Sequence, residues 1–334
     1  KKGNLPFDIL SAAFFLLTRY EEYLHHEAHP STPFAATDSV GYEYHFLELP
    51  IVDIWVEKFR NALVEKYPNL TFAPREASTV SVIEVAKAFK YKHKGILRTL
   101  LRGLTYFFTL QWTQLGELLR VVMGRSKDPF DFYEALIDFF QERKLHPTFF
   151  FLLGDYNYYD QGLSYNNVRY KYLIKHIADY AIVSVLGSYD ATSREEILLK
   201  ERERMSNIIN RPVRRFRANN NLLPLPELYQ HLAATEFKED YTMGYLSHIG
   251  FRAGTCTPYI FYDIRLEVQI PIVVHSFALH WQHIDKQCTK ETLYLIETIK
   301  QQVADLKGDF ISIFSPEYLS KAPNRFSLYK KVVN

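Results

Sequence analysis

Cysteine is scarce. The 334 residues hold two, Cys256 and Cys288, with no CxxC spacing, so a zinc ribbon is excluded. The pair is as compatible with a reduced chain as with a disulfide. Net charge is nearly absent: 40 Lys and Arg against 38 Asp and Glu leave +2. Nothing in that balance implies nucleic acid or an anionic membrane surface. Long apolar runs are missing too. The stretch Ile9–Leu17 is too short to cross a bilayer and is followed by Arg19, Glu21 and Glu22, so neither a transmembrane segment nor a signal peptide is read. The opening Lys1-Lys2-Gly3-Asn4 reads as mid-stream. An upstream segment is expected, and with that segment left open the chain is read as cytoplasmic. The motifs GxGxxG, Walker A, GxSxG and HExxH are all absent, which removes support for a dehydrogenase, an NTPase, an α/β-hydrolase or a zincin.

What is present is enough apolar material for a sizeable core, 47% of residues, with 24 Tyr and 25 Phe. Aromatics at that level bury large areas or stack on sugar rings, and the count does not separate the two. The pattern predicts a helix over 9–25 with Asp8 as N-cap and another over 50–66 entered at Pro50. A loop is expected at 30–37 and a boundary at 68–76. Beyond it, strands are expected at 79–83, 148–153, 181–186, 212–216, 241–246, 270–277 and 310–314. Helices are expected at 96–122, from Asp128-Pro129 to 144, from a Ser193/Glu196 capping box to 210, at 226–234 and at 290–306. Alternating strands and helices imply parallel strands with crossover helices, as a barrel or an open doubly wound sheet.

In such a fold the chemistry sits at the carboxyl ends of the strands. Those ends present Glu84, Asp155, Tyr189 with Asp190, Asn219, the loop from Gly250 to Pro258 with Arg252, and Ser315. Gly250 and Gly254 permit a tight turn that would aim Arg252 inward.

Three segments carry a resemblance. Leu5-Pro6-Phe7-Asp8 through Arg19-Tyr20-Glu21-Glu22-Tyr23, Phe150-Phe151-Leu152-Leu153-Gly154-Asp155-Tyr156, and Met243-Gly244-Tyr245 through Phe251-Arg252-Ala253-Gly254-Thr255 are similar to Bacteroidetes-type polysaccharide deacetylases of the NodB-type family. The resemblance implies a deformed (β/α)7-type barrel over 76–334, preceded by the C-terminal part of a helical accessory domain over 1–75. It also implies a divalent metal such as zinc, held by one Asp and two His, with a second Asp as base and a late His as acid. This chain departs from that pattern. Val82 stands at the base position and Glu84 at the metal Asp. Leu186 and Asn219 stand at the two His, and Ser315 at the acid. No His lies between His176 and His231 or after His283.

These departures imply a chain without the family's metal or chemistry. The expectation is therefore a deacetylase-like protein, catalytically inactive, that binds polysaccharide or a protein partner in cell-surface polysaccharide metabolism. Its binding residues would be Glu84, Asp155, Tyr189, Asn219 and Arg252, with no cofactor and no nucleic acid. An active deacetylase with rearranged ligands and a pure scaffold subunit are the alternatives. His275, His280 and His283 offer a new metal site or merely structural imidazoles. Arg211, Arg214, Arg215 and Arg217 face an anionic glycan or form a strand edge with one Arg paired to a carboxylate. Tyr156, Tyr158, Tyr159, Tyr165, Tyr170 and Tyr172 stack on sugars or pack over the barrel mouth.

Overall fold

Short β-branched and aromatic runs form the staves of the fold. The computed structural model describes residues 7–28, 34–286 and 288–333. Its strands are β1 Ser78–Val85, β2 Thr148–Leu152, β3 Ile182–Gly187, β4 Arg215–Ala218, β5 Glu239–Asp240, β6 Tyr259–Asp263, β7 Val268–Val274, β8 Leu279–His280 and β9 Asp309–Phe314. They lie in the order β6-β7-β5-β4-β3-β2-β1-β9-β8. Every pairing is parallel except the β6–β7 hairpin.

The segment between β7 and β8 closes this ladder. His275 N–H donates to Asp240 O at 2.8 Å and Phe277 N–H to Met243 O at 2.9 Å, on the β5 side. One residue later, Ala278 N–H donates to Ile311 O at 3.0 Å, on the β9 side. Strands β7 and β8 are thus one bent stave that leaves β5 and joins β9, so the sheet curls into a barrel of seven staves. Of the two forms the strand–helix alternation allows, a barrel and an open doubly wound sheet, the chain takes the barrel.

Side chains alternate across each strand, and the inward set is apolar: Val82, Phe150, Leu186, Tyr241, Phe277 and Ile313 belong to one buried cluster. The outward set packs under helices Tyr133–Arg143, Val168–Ala178, Glu195–Ile209, Glu227–Ala234, Lys290–Asp305 and Pro323–Val333. Strand β2 is buried along its whole length, as an all-apolar strand between two packed faces must be.

The N-terminal helices Ile9–Leu17, Tyr20–Ala28 and Ile51–Lys66 pack against the loop at 250–257. Asp8 caps the first as expected, accepting from the N–H groups of Leu10 and Ser11. The single helix expected over 9–25 is broken at Arg19, whose φ is 59°. That kink turns the buried Arg19 guanidinium onto Glu21 and Glu22, at 2.8 and 2.7 Å, and onto the Arg252 carbonyl.

Other boundaries also differ. The helix expected over 96–122 is two, Ile96–Phe108 and Trp112–Val122, with Leu110 between them at a φ of 55°. The Asp128-Pro129 helix start lies further on, at Tyr133. Asp128 is instead buried, and its carboxylate takes the N–H groups of Lys90, Tyr91, Lys92 and Phe130. Ser193 does not cap its helix: its hydroxyl donates to Asp190 O, and Arg194 is the N-cap residue. No strand forms at the expected 241–246: the stave is the two-residue β5 just before it, ended where the Asp240 carboxylate bonds back to the Thr242 N–H and hydroxyl. Residues 30–33 of the expected loop lie outside the described residues, and Ala36–Asp38 forms a 3-10 turn. Cys256 is buried, Cys288 is exposed, and both are free.

Candidate functional site

Parallel staves bring their carboxyl ends to one mouth. Glu84 of β1, Arg217 of β4 and His280 of β8 meet there. Arg217 Nε donates to Glu84 Oε2 at 3.0 Å. Trp281 Nε1 donates to Glu84 Oε1 at 2.6 Å, and His280 Nε2 lies 3.0 Å from the same oxygen. The Arg217 guanidinium also donates to Tyr241 O at 2.8 Å and lies 4.9 Å over the Phe277 ring.

Electrostatics fix the charge states. Burial alone would raise the Glu84 pKa, but His280 and Arg217 outweigh it and hold the carboxyl well below the usual range. Burial pushes the His280 pKa down despite Glu84. A neutral imidazole that donates from Nε2 to Glu84 and accepts the Gln282 N–H at Nδ1 satisfies both ring nitrogens. The arrangement is a carboxylate held between a guanidinium, an imidazole and an indole N–H.

Above it opens a cavity of about 270 Å³, lined by Glu84, Arg217, Asn219, Ser315, Tyr159 and Trp281 among others. Three residues singled out from the sequence, Glu84, Asn219 and Ser315, thus come together. Asn219 Nδ2 donates to the buried Asp160 at 2.8 Å, and the same carboxylate takes the Tyr189 N–H at 2.8 Å. Tyr189 stands one layer back, its ring stacked on Tyr159 at 4.1 Å. Val82 and Leu186 are wholly buried in the apolar interior below the ion pair.

Asp155 and Arg252 are placed elsewhere. Asp155 is exposed and paired with Lys200 and Arg204 at 3.1 and 2.8 Å. Gly250 and Gly254, with φ of 133° and 65°, do form the tight turn. Yet Arg252 turns to the N-terminal helices, because Glu22 waits there and binds it at 2.8 and 2.6 Å. The tyrosines scatter: Tyr156 lies under Arg98, Tyr165 under Arg204, Tyr172 against His176, and Tyr170 is buried with its hydroxyl on Leu152 O. Within the basic run, Arg217 and Arg215 are paired to Glu84 and Glu239. His275 lies 3.4 Å from Glu239, and His283 is bonded to Ser247 O.

The residues present do not fit the metal that the resemblance implies. A zinc ion takes three or four protein ligands. Here both Glu84 oxygens are occupied by donors, Leu186 offers no lone pair, and Asn219, whose Nδ2 is bonded to Asp160, has only a neutral amide oxygen to give. A guanidinium at 3.0 Å would repel a second cation. Among the described residues no group of three or more His, Cys, Asp or Glu is arranged to hold a metal ion.

Sequence reasoning missed Trp281 and gave Arg217 no central role. The one available signal was alternation: a positive side chain two residues before Asn219, on the same inward face of β4.

A family model described as "Family of unknown function (DUF7033)" matches residues 1–68. No curated protein matches the chain. Among solved structures, the chain is similar to a presumed polysaccharide deacetylase from Mycobacterium smegmatis, with 14% identity, 79% of this chain and 85% of that one covered, and a TM-score of 0.49. It is also similar to a CE4 family pseudoenzyme from Bacillus anthracis, with 10% identity, coverage of 78% and 62%, and a TM-score of 0.38. A third is IcaB from Ammonifex degensii, with 14% identity, coverage of 52% and 85%, and a TM-score of 0.28. At these levels the likenesses say nothing of residue roles.

Proposed function

We propose that this chain is a polysaccharide deacetylase-like protein of NodB type that lacks metal-dependent hydrolysis and binds a glycan at the barrel mouth, in cell-surface polysaccharide metabolism. The observation that carries the reading is the Arg217–Glu84 pair. The carboxylate that would hold a metal is neutralised by a side chain of the same barrel. Acetamide hydrolysis needs a polarised carbonyl, an activated water and an acid for the leaving amine. Val82, Leu186, Asn219 and Ser315 supply none of these in their family positions. The cavity does offer amides and ring faces, from Gln161, Asn219, Asn220, Gln282, Tyr159 and Trp281. That is the mixture by which sugars are held, with hydrogen bonds fixing orientation and aromatic faces giving contact.

The test has two parts. Acetate release from N-acetylated oligosaccharides is measured with Zn²⁺ or Co²⁺ added, together with bound metal by elemental analysis. Near-stoichiometric metal with chelator-sensitive release overturns the inactive reading. A glycan array and calorimetry then compare the chain with Tyr159→Ala. Binding that this substitution weakens supports the reading, and binding of no glycan replaces it with a protein-binding scaffold.

A further inference from the structure

The crossover from β1 to β2 makes an excursion that the barrel does not need. One helix, Tyr133–Arg143, covers the sheet, and the hairpin of Ile96–Phe108 and Trp112–Val122 stands apart from it. The first hairpin helix is amphipathic in the reverse sense. It has no buried residue. Its small and polar side, with Gly103 and Tyr106, packs on Leu118 of the second helix. Its apolar side faces outward: Leu97 is 71% exposed, Leu100 60%, Leu104 53% and Phe108 77%, with Trp112 at 54% at the start of the second helix. An apolar stripe this long is normally covered.

Beside it lies a cavity of about 230 Å³ lined by Lys87, Lys94, Arg98 and Arg102, with no Asp or Glu among its lining residues. Of the carboxylates near it two are engaged, and the third, Glu317, lines the barrel mouth instead. Glu117 holds Lys90 and the Tyr91 hydroxyl, at 2.6 and 2.8 Å, and Asp128 holds backbone N–H groups. Burial, then Arg102 and Lys87, push the Lys94 pKa down to about 8, against the opposing pull of Asp128 and Glu317. Arg98 lies 4.0 Å over the Tyr156 ring and Arg102 donates to Lys90 O, so the cluster is braced.

We infer that this hairpin docks the protein on a lipid bilayer bearing anionic phospholipids. The apolar stripe enters the interface, and the cluster of Lys94, Arg98 and Arg102 takes a phosphate headgroup. An interfacial helix has this combination: an apolar face ending in aromatic residues, with basic groups at its border. Charge complementarity selects the occupant, because the charged groups lining the adjoining cavity are all basic and suit an anionic headgroup. At 13 residues the helix is too short to cross a bilayer, and among the described residues no helix is long and apolar enough to do so. Lys87 and Gln161 line both this cavity and the barrel mouth. Docking would therefore hold the mouth close to the membrane plane. The inference stands independently of what the mouth binds.

The test is flotation of the chain with phosphatidylcholine vesicles, with and without phosphatidylglycerol. The chain is compared with Leu104→Asp/Phe108→Asp and with Lys94→Gln/Arg98→Gln. All these side chains lie at the surface or the cavity rim, and circular dichroism checks folding. The chain is expected to float with phosphatidylglycerol vesicles. The aspartate variant should lose that, and the glutamine variant should bind about fivefold more weakly per charge removed. Absence from both vesicle types with a native spectrum overturns the inference. Equal partition onto pure phosphatidylcholine overturns its anionic part. A concentration-dependent dimer abolished by the aspartate variant, without flotation, identifies a self-interface instead. Inorganic phosphate bound through Lys94 without flotation identifies a free-anion site.

Discussion

Arg252 grips Glu22 with two parallel hydrogen bonds, Nε to Oε1 at 2.8 Å and Nη2 to Oε2 at 2.6 Å, joining the FRAGT loop to the N-terminal helices. Arg19 binds the same Oε1 at 2.7 Å, and all three side chains are buried. Arg252→Ala is expected to cost about 3–5 kcal/mol, because a buried carboxylate loses its bidentate partner. Urea unfolding measures this, and a loss below about 1 kcal/mol contradicts it. The pH dependence has a definite sign. Burial would raise the Glu22 pKa, but Arg252 and Arg19 outweigh it and hold it down to about 2, from 4.5. Its contribution is complete above pH 4.5 and is lost as the pH falls toward 2.

Glu84 and Arg217 should behave as a coupled pair. Glu84→Gln or Arg217→Met alone strands a buried charge and should destabilise by about 3–5 kcal/mol. The double substitution should be closer to the parent than the sum of the singles. A double-mutant cycle by chemical unfolding measures the coupling, and additive losses would show the pair to be independent.

Glu201 titrates in the opposite direction. It is buried, its Oε1 has no hydrogen-bond partner, and burial pushes its pKa up to about 7 despite the Ser188 hydrogen bonds. The folded protein therefore favours the protonated form. Stability from this group is full below pH 4.5 and is lost as the pH rises through 7. Glu201→Gln should flatten the fall in Tm across that window, a difference on the order of 3 kcal/mol. An unchanged pH profile would falsify the assignment.

Gly187 ends β3 against an aromatic wall. A Cβ there would lie 2.3 Å from the Phe216 ring, which is wholly buried and has nowhere to move. Gly187→Ala should cost about 1–3 kcal/mol through overpacking, read as a lower urea midpoint. Pairing it with Phe216→Leu should recover part of the loss.

The period of the chain made most of the barrel legible. Runs such as Phe149–Leu152 and Phe310–Phe314 announced buried strands, and the pattern over 290–306 announced its helix. Strand β5 and strand β8 did not announce themselves, since two residues each carry no alternation. The β7–β8 stave is recognisable only through its partners on either side. Glu84, Asn219 and Ser315 could be placed at the mouth because each follows a different parallel strand. Arg252 could not be placed, because a tight turn fixes that a side chain is projected but not which carboxylate it meets. Glu22 is 230 positions away. The reversed helix at 96–108 was equally hidden: its periodicity is that of an ordinary amphipathic helix, and which face meets the protein is decided by what the hairpin packs on.

A positive charge at the heart of the mouth is here tethered by covalent bonds. A bound ion can be removed by chelation, dilution or acid, each of which shifts an equilibrium with solvent. Arg217 has no such equilibrium, because it is part of the chain and is held in place by Glu84 and the Tyr241 carbonyl. The mouth should therefore keep one shape whatever the metal supply, and any binding it does should be as strong in a chelating buffer as in a zinc-rich one.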